Sequence, residues 1–257
     1  MILLFFIYIV TFLLIVFVIK FTINPLNKKI PRMLYQTYPG NVDDDIPESI
    51  KTNIRYLKKM NPGWKYKLYR DDEIEDFILK EYNLEYYRLY KKINDEYGAA
   101  KADFFRYLLI YKKGGVYLDV KSSADKPLDD IIKHDDEYIL SYWRDKKWRD
   151  SYNYPNGEIQ QWYIISKPNH EYLKETIDNV VDNITNYDRK DLGVGGLGTL
   201  NTTGPIVYTK SIVPIMNNYN HTLYPNEVPG LVFKKIKNHH KLFQKTHYSQ
   251  LKSPIIL

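Results

Sequence analysis

The stretch from Ala99 to Val120 (AAKADFFRYLLIYKKGGVYLDV) constrains the fold more than any other part of the chain. Ala99 to Lys112 carries a helical pattern, Gly114-Gly115 stops it, and Val116 to Val120 is apolar enough for a buried strand. A long helix delivered through two glycines into a buried strand belongs to α/β architecture. The flanks repeat the alternation. Ile30–Tyr38 predicts a first strand, Pro47–Met60 a helix with Ile50, Ile54 and Leu57 at helical spacing, and Trp64–Tyr69 a second strand after the Asn61-Pro62-Gly63 break. Asp71 and Asp72 suit the first turn of a helix running to Leu79. Tyr138–Trp143 and Gln160–Ser166 predict two more strands, and His170–Val181 a helix. The expectation is an α/β domain with a mostly parallel sheet.

The sequence start differs from the rest. Ile2 to Ile19 contains no charge, Gly or Pro. These eighteen residues would span roughly 27 Å as a helix, close to the roughly 30 Å of a bilayer core. Lys20 can snorkel, extending the span to Ile23. A cleaved signal peptide is disfavoured, because there is no basic leader, the run is too long and no small-x-small site follows. The segmentation expected is an anchor over 1–23, a linker over 24–29 and a domain over 30–257, in a single-pass protein of an ER- or Golgi-type membrane. Lys20, Lys28, Lys29 and Arg32 favour a cytosolic domain. Sequons at Asn183, Asn201 and Asn220 would matter only in a lumen. The side of the membrane stays open.

The absence of Cys excludes disulfides, cysteine-based metal sites and a cysteine nucleophile. A net charge of +6 permits an anionic partner. The basic run Lys234–His247 lacks a recognition motif, so a solvated face or a membrane contact is expected and nucleic acid is not. Gly193-Val-Gly195-Gly196-Leu-Gly198 matches a dinucleotide fingerprint in letters only. No strand signal precedes it and turn residues follow, so a loop able to close over a ligand is expected. Trp143, Trp148 and Trp162 are candidates for an acceptor groove, with core packing at least as good a reading of Trp162.

The chemistry concentrates in the block Tyr97–Ser122. Asp103 and Arg106 share one helix face. Asp119 falls at the C-terminal end of a strand, where α/β sheets bind ligands. Taken singly, each residue favours a surface ion pair or a strand-end turn, and their co-occurrence shifts the balance toward a site.

The block resembles the sugar-transferase motif of glycosyltransferase family 32, approximately A-x-x-x-D-x-x-R-Y…GG-x-Y-x-D-x-D. Asp103, Arg106, Tyr107, Gly114, Gly115, Tyr117 and Asp119 stand in that register. Ile30-Pro31-Arg32 through Gln36-Thr37, Asn61-Pro62-Gly63-Trp64 and Thr203-Gly204-Pro205 resemble further family segments, so the likeness runs over roughly residues 30–210. The resemblance implies a GT-A-type nucleotide-sugar-binding domain. It implies hexose transfer from a nucleotide-sugar to a glycan or other hydroxyl acceptor, with retention at the anomeric carbon. Asp103 and Arg106 would hold donor hydroxyls, and Asp119 the ribose and a divalent cation (Mn or Mg). Gln36, Tyr38 and Tyr117 would complete the donor site. Tyr38 stands where the family has a stacking Trp, and Tyr35 where it has a His. His247 is a candidate second metal ligand, since family members place a His near the C-terminus.

The second Asp of the family motif is replaced by Lys121. With Val116–Val120 read as a strand, Lys121 shares the side of Asp119 and occupies the place of a metal-binding carboxylate. Lys121 could touch the donor diphosphate directly in place of a metal. A metal could instead bind through Asp119 with Lys121 swung aside, or the site could be inactive and serve only for binding. A further alternative, a membrane-tethered interaction protein, predicts no pocket near Asp103, Arg106 and Asp119, whereas side chains of these three pointing apart would exclude the enzyme reading.

Overall fold

The computed structural model describes residues 29–41, 46–143, 156–236 and 247–257. The expected span over 1–23 and nearly all of the expected linker lie outside these residues, as does Trp148. Among the described residues no helix is long and apolar enough to cross a membrane.

The chain enters on strand β1 (Met33–Thr37), then helix α1 (Glu48–Met60), strand β2 (Lys65–Tyr69) and helices α2 (Asp71–Glu81) and α3 (Leu84–Lys92). Helix α4 (Gly98–Lys113) leads into strand β3 (Gly115–Leu118). There follow β4 (Ser123–Ala124), the short α5 (Leu128–Ile131), β5 (Tyr138–Ser141) and β6 (Tyr163–Ser166). Helices α6 (Glu171–Thr185), α7 (Gly195–Thr202) and α8 (Pro205–Ile212) precede β7 (Thr222–Tyr224) and β8 (Leu231–Val232).

The main sheet has six strands in the order β2-β1-β3-β6-β5-β7, and β4 pairs with β8 separately. The pairs β1–β2, β1–β3 and β5–β7 are parallel, while β6 runs antiparallel to both β3 and β5. The expected mostly parallel sheet is present, with β6 as its reversed member. Alternate residues face opposite layers. Tyr35, Tyr117 and Ile164 face the layer of α2, α3, α4, α6 and α8. Leu34, Val116 and Ile165 face the smaller layer of α1, α5 and β8.

Helix α4 is buried on nearly all sides, with every residue from Asp103 to Ile110 in the interior. Its sequence therefore shows no polar stripe, as expected of a helix surrounded by protein. It ends at Gly114, where φ is 61°, and Gly115 follows with φ of 100°. A Cβ on Gly115 would lie 2.7 Å from the Met33 carbonyl oxygen. The double glycine thus lets the chain reverse out of the helix and pair at once with β1.

Two expectations are corrected. The glycine-rich segment at 193–198 is largely helix α7, not a loop. Its glycines serve close packing: a Cβ on Gly198 would meet the Gly193 carbonyl oxygen at 2.5 Å, and one on Gly195 the Leu251 carbonyl oxygen at 2.6 Å. Strand β3 also stops at Leu118 rather than Val120. Asp119 to Ser122 forms a turn closed by the Ser122 N–H donating to the Asp119 carbonyl at 2.8 Å. Helix α3 had no clear sequence signal.

Gly115→Ala is expected to destabilise the protein by at least about 1–3 kcal/mol, from positive-φ strain plus the clash with β1. Urea unfolding measures it, and a change within error of zero would refute the close approach described.

Candidate functional site

The site forms where α4, the end of β3 and the segment before β6 meet. Arg106 lies inside, with about 4% of its surface exposed. Its Nη2 donates to Asp103 Oδ1 at 3.0 Å and to Asp119 Oδ1 at 2.9 Å. Its Nη1 donates to the carbonyl of Gln161 at 2.7 Å and also to the Gln161 side-chain oxygen. The guanidinium carbon sits 4.7 Å from the centre of the Tyr117 ring, a favourable face for a cation. One buried cation is thereby satisfied by two carboxylates, an amide and a ring.

Each partner is fixed in turn. Gln161 Nε2 donates to Asp103 Oδ1 at 3.0 Å, and the Thr203 hydroxyl lies 3.4 Å from Asp103 Oδ2. Tyr117 shares a 3.0 Å hydrogen bond with the Thr37 hydroxyl. Asp119 is set by its backbone: its N–H donates to the Trp162 carbonyl at 2.8 Å, and its carbonyl accepts from Gln36 Nε2 at 3.2 Å. The other end of the Gln36 amide accepts from Tyr66 at 3.0 Å. Gln36 is fully buried, so its observed work is to hold the Asp119 turn.

Burial pushes the Asp103 carboxyl up to about 6, against the opposing pull of Arg106. Burial works against the charge on Arg106, but Asp119, Tyr117 and Asp103 more than offset it, and the guanidinium is held more firmly charged than in water. Asp103, Arg106 and Asp119 therefore meet at one point. Side chains pointing apart would have excluded the enzyme reading.

Lys121 lies beside them because of the turn. Its Nζ is 3.3 Å from Asp119 Oδ2 and 5.5 Å from the centre of the Phe233 ring. Its carbonyl accepts from the Ile236 N–H at 3.1 Å. Asn53, from α1, donates to the adjacent Ser122 carbonyl at 2.8 Å. About 23% of the Lys121 side chain and 15% of Asp119 are exposed, against 5% of Arg106. The open side of the cluster is thus formed by Asp119 and Lys121.

A divalent cation does not fit these residues as they stand. Both Asp119 carboxylate oxygens are occupied by cations, one by Arg106 and one by Lys121. A doubly charged ion about 4 Å from the ammonium would meet roughly 8 kcal/mol of repulsion at an effective dielectric near 20. Among the described residues no group of three His, Asp or Glu could hold a metal. His247, the expected extra ligand, uses Nδ1 toward the Ser249 hydroxyl at 2.7 Å and toward the Ser249 N–H at 3.3 Å. Burial first, then the charges of Asp103, Asp119 and Glu158, pushes the hydroxyl of the neighbouring Tyr248 up to about 12.

The remaining candidates are spread around this centre. Tyr38 is buried with Ile46, Ile50 and Ile236, and the Arg70 guanidinium carbon lies 5.1 Å from its ring centre. Tyr35 packs in the core, 6.1 Å from Tyr69 between ring centres. Trp162 packs on Tyr163 and Phe233. Trp143, half-buried, packs on Phe233 and donates to Glu158 at 2.9 Å. Gln161, Glu158 and Phe233 were not among the expected site residues, and Thr203 was expected only as part of a family-like turn. Only Gln160-Gln161 in an otherwise apolar run signalled buried polar work.

Two expectations concern this network. Arg106→Met leaves the buried Asp103 carboxylate uncompensated and Asp119 with Lys121 as its remaining cation, and is expected to cost about 3–5 kcal/mol. Adding Asp103→Asn and Asp119→Asn to it should recover part of that loss in denaturant unfolding, and no recovery would refute the charge account. Glu158 supplies a pH test. Burial raises its carboxyl from 4.5 to about 7 in the folded protein. Its contribution to stability is therefore full below about 4.5 and is lost as pH rises through about 7, by roughly 3 kcal/mol in all. Glu158→Gln should flatten unfolding free energy over that window, and an unchanged slope would count against the assignment.

Residues 47–139 match the family model described as glycosyltransferase sugar-binding region containing DXD motif. The chain is 28% identical over 216 residues to the initiation-specific alpha-1,6-mannosyltransferase of Candida albicans, covering 75% of this chain and 54% of the relative. It spans about half the length of the first curated relatives it matches. In fold it is similar to the PaToxG glycosyltransferase, with TM-score 0.53, 16% identity and 79% of each chain covered. It is also similar to the UDP-bound glycosyltransferase domain of the YGT toxin, with TM-score 0.52, 10% identity and 79% and 80% covered. These matches agree with the likeness expected from Tyr97–Ser122: the chain resembles the DXD-containing sugar transferases of glycosyltransferase family 32.

Proposed function

We propose that the chain is a membrane-anchored, retaining glycosyltransferase with a GT-A-type donor domain over residues 30–257. It moves a hexose from a nucleotide-sugar to a hydroxyl of a glycan or other acceptor. The observation that carries this reading is the convergence of Asp103, Arg106 and Asp119 at the C-terminal end of β3, with Asp119 on the open side. The relative from Candida albicans is named a mannosyltransferase, which makes mannose the first sugar to test.

Buried, pre-oriented carboxylates and a guanidinium suit the hydroxyls of a pyranose, whose several donors and acceptors reward fixed partners. In the reaction the bond from the anomeric carbon to the diphosphate breaks. The acceptor oxygen bonds to the same face of that carbon, and its proton passes to the leaving phosphate oxygen. The charge growing on the diphosphate needs a fixed positive partner. The cluster of Asp103, Arg106 and Asp119 orients the sugar.

The apolar run Ile2–Ile19 supports the anchor, in an ER- or Golgi-type membrane. Of the three sequons, Asn183 and Asn201 spend their side-chain N–H groups on main-chain carbonyls. Asn220 is the exposed one.

The test is release of nucleoside diphosphate by the full chain from a panel of nucleotide-sugars, with and without candidate acceptors. Turnover of one donor is expected, and Asp119→Asn should reduce it at least a hundredfold with the fold intact by circular dichroism. Full activity in that variant would remove Asp119 from the site. Donor binding without any turnover would favour an inactive binding module.

A further inference from the structure

The turn after β3 places an ammonium where a metal-binding carboxylate is expected. The motif is Asp119-Val120-Lys121, and Lys121 Nζ reaches Asp119 Oδ2 at 3.3 Å. The four charged groups, Asp103, Arg106, Asp119 and Lys121, cancel in formal charge. A site that gathers a divalent cation needs an excess of carboxylate, and this one has none. Asp119 offers no oxygen without a cation against it.

Three features make Lys121 a built part of the site. The turn that carries it is closed by its own hydrogen bond and tied to Gln36, Trp162 and Asn53. Its ammonium lies 5.5 Å from the centre of the Phe233 ring, which packs on Trp143 and Trp162, so an aromatic face helps hold the head group near Asp119. Arg106, the other cation, is spent inside on Asp103, Asp119 and Gln161. Lys121 is the more exposed cation of the cluster, and the one an incoming anion meets.

We infer that Lys121 is the electrostatic partner of the donor diphosphate, and that this site binds nucleoside diphosphates without a divalent metal. The inference rests on the donor-site reading and assigns one of its parts. On binding, the ammonium exchanges part of its contact with Asp119 for a phosphate oxygen. Its three donors let it keep both, and Arg106 keeps Asp119 neutralised meanwhile. When the glycosidic bond breaks, the same ammonium faces the charge that accumulates on the leaving group.

The experiment is calorimetric titration of the full chain with ADP, CDP, GDP and UDP, in EDTA and in excess Mn²⁺, with the matching nucleosides as controls. One diphosphate should bind equally in both conditions, within about twofold. Lys121→Gln should weaken that diphosphate at least tenfold while leaving the nucleoside unchanged, and Lys121→Arg should restore most of the loss. Lys121→Asp, which recreates a carboxylate pair, should make binding depend on Mn²⁺ and produce a protein-bound Mn²⁺ signal in electron paramagnetic resonance. Binding by the wild-type chain only with Mn²⁺ would overturn the inference and leave the donor-site reading standing. Equal diphosphate affinity in Lys121→Gln would also overturn it. No diphosphate binding in either condition would overturn both.

Discussion

The guanidinium of Arg106, held between Asp103 and Asp119, is the interaction on which the rest of the site depends. A cation in the interior is tolerated only when its donors are met. Each partner here comes from a different element: Asp103 from α4, Asp119 from the turn after β3, and Gln161 from the approach to β6. Tyr117, on β3, supplies a ring face. The ion pair therefore works as a clasp that fixes helix, strand end and neighbouring segment together. Its energetic worth is less informative than its geometry, since a well-packed apolar substitute could match it in stability. What an apolar substitute lacks is a rigid polar surface at the mouth of the sheet.

The fold explains why the clasp sits there. The double glycine ends α4 and starts β3 without an intervening loop, so helix and strand pack at a fixed offset. That offset brings the helix residue Asp103 level with the strand-end residue Asp119. The Asp119–Ser122 turn then folds Lys121 back over the carboxylate. A longer β3 would have placed Lys121 by strand alternation alone. The turn reaches the same neighbourhood by a different route and gives the ammonium an aromatic face at Phe233.

Much of this was legible in the residues. The α4–β3 unit announced itself because its apolar run, glycine pair and β-branched strand are all local signals. Asp103 and Arg106 were paired by helical spacing, and the structure closes that pair at 3.0 Å. Three things were hidden. The packing of α7 against Leu251 and Ile255 is non-local, so Gly195 and Gly198 read as loop residues when they are close-contact residues. Gln161 lies 55 residues from Arg106 in the chain, and no spacing rule joins them. Gln36 was read as a donor ligand, yet its amide is spent between Tyr66 and the Asp119 backbone, because the parallel β1–β2 pairing sets Gln36 opposite Leu68 and brings Tyr66 within reach.

The most direct test of donor binding by this clasp is an experimental structure of the full chain with a nucleotide-sugar, prepared in EDTA. Density for a diphosphate oxygen within hydrogen-bond reach of Lys121 Nζ, and for the sugar beside Asp103, Arg106 and Asp119, is expected. A donor seated away from these four residues would contradict it.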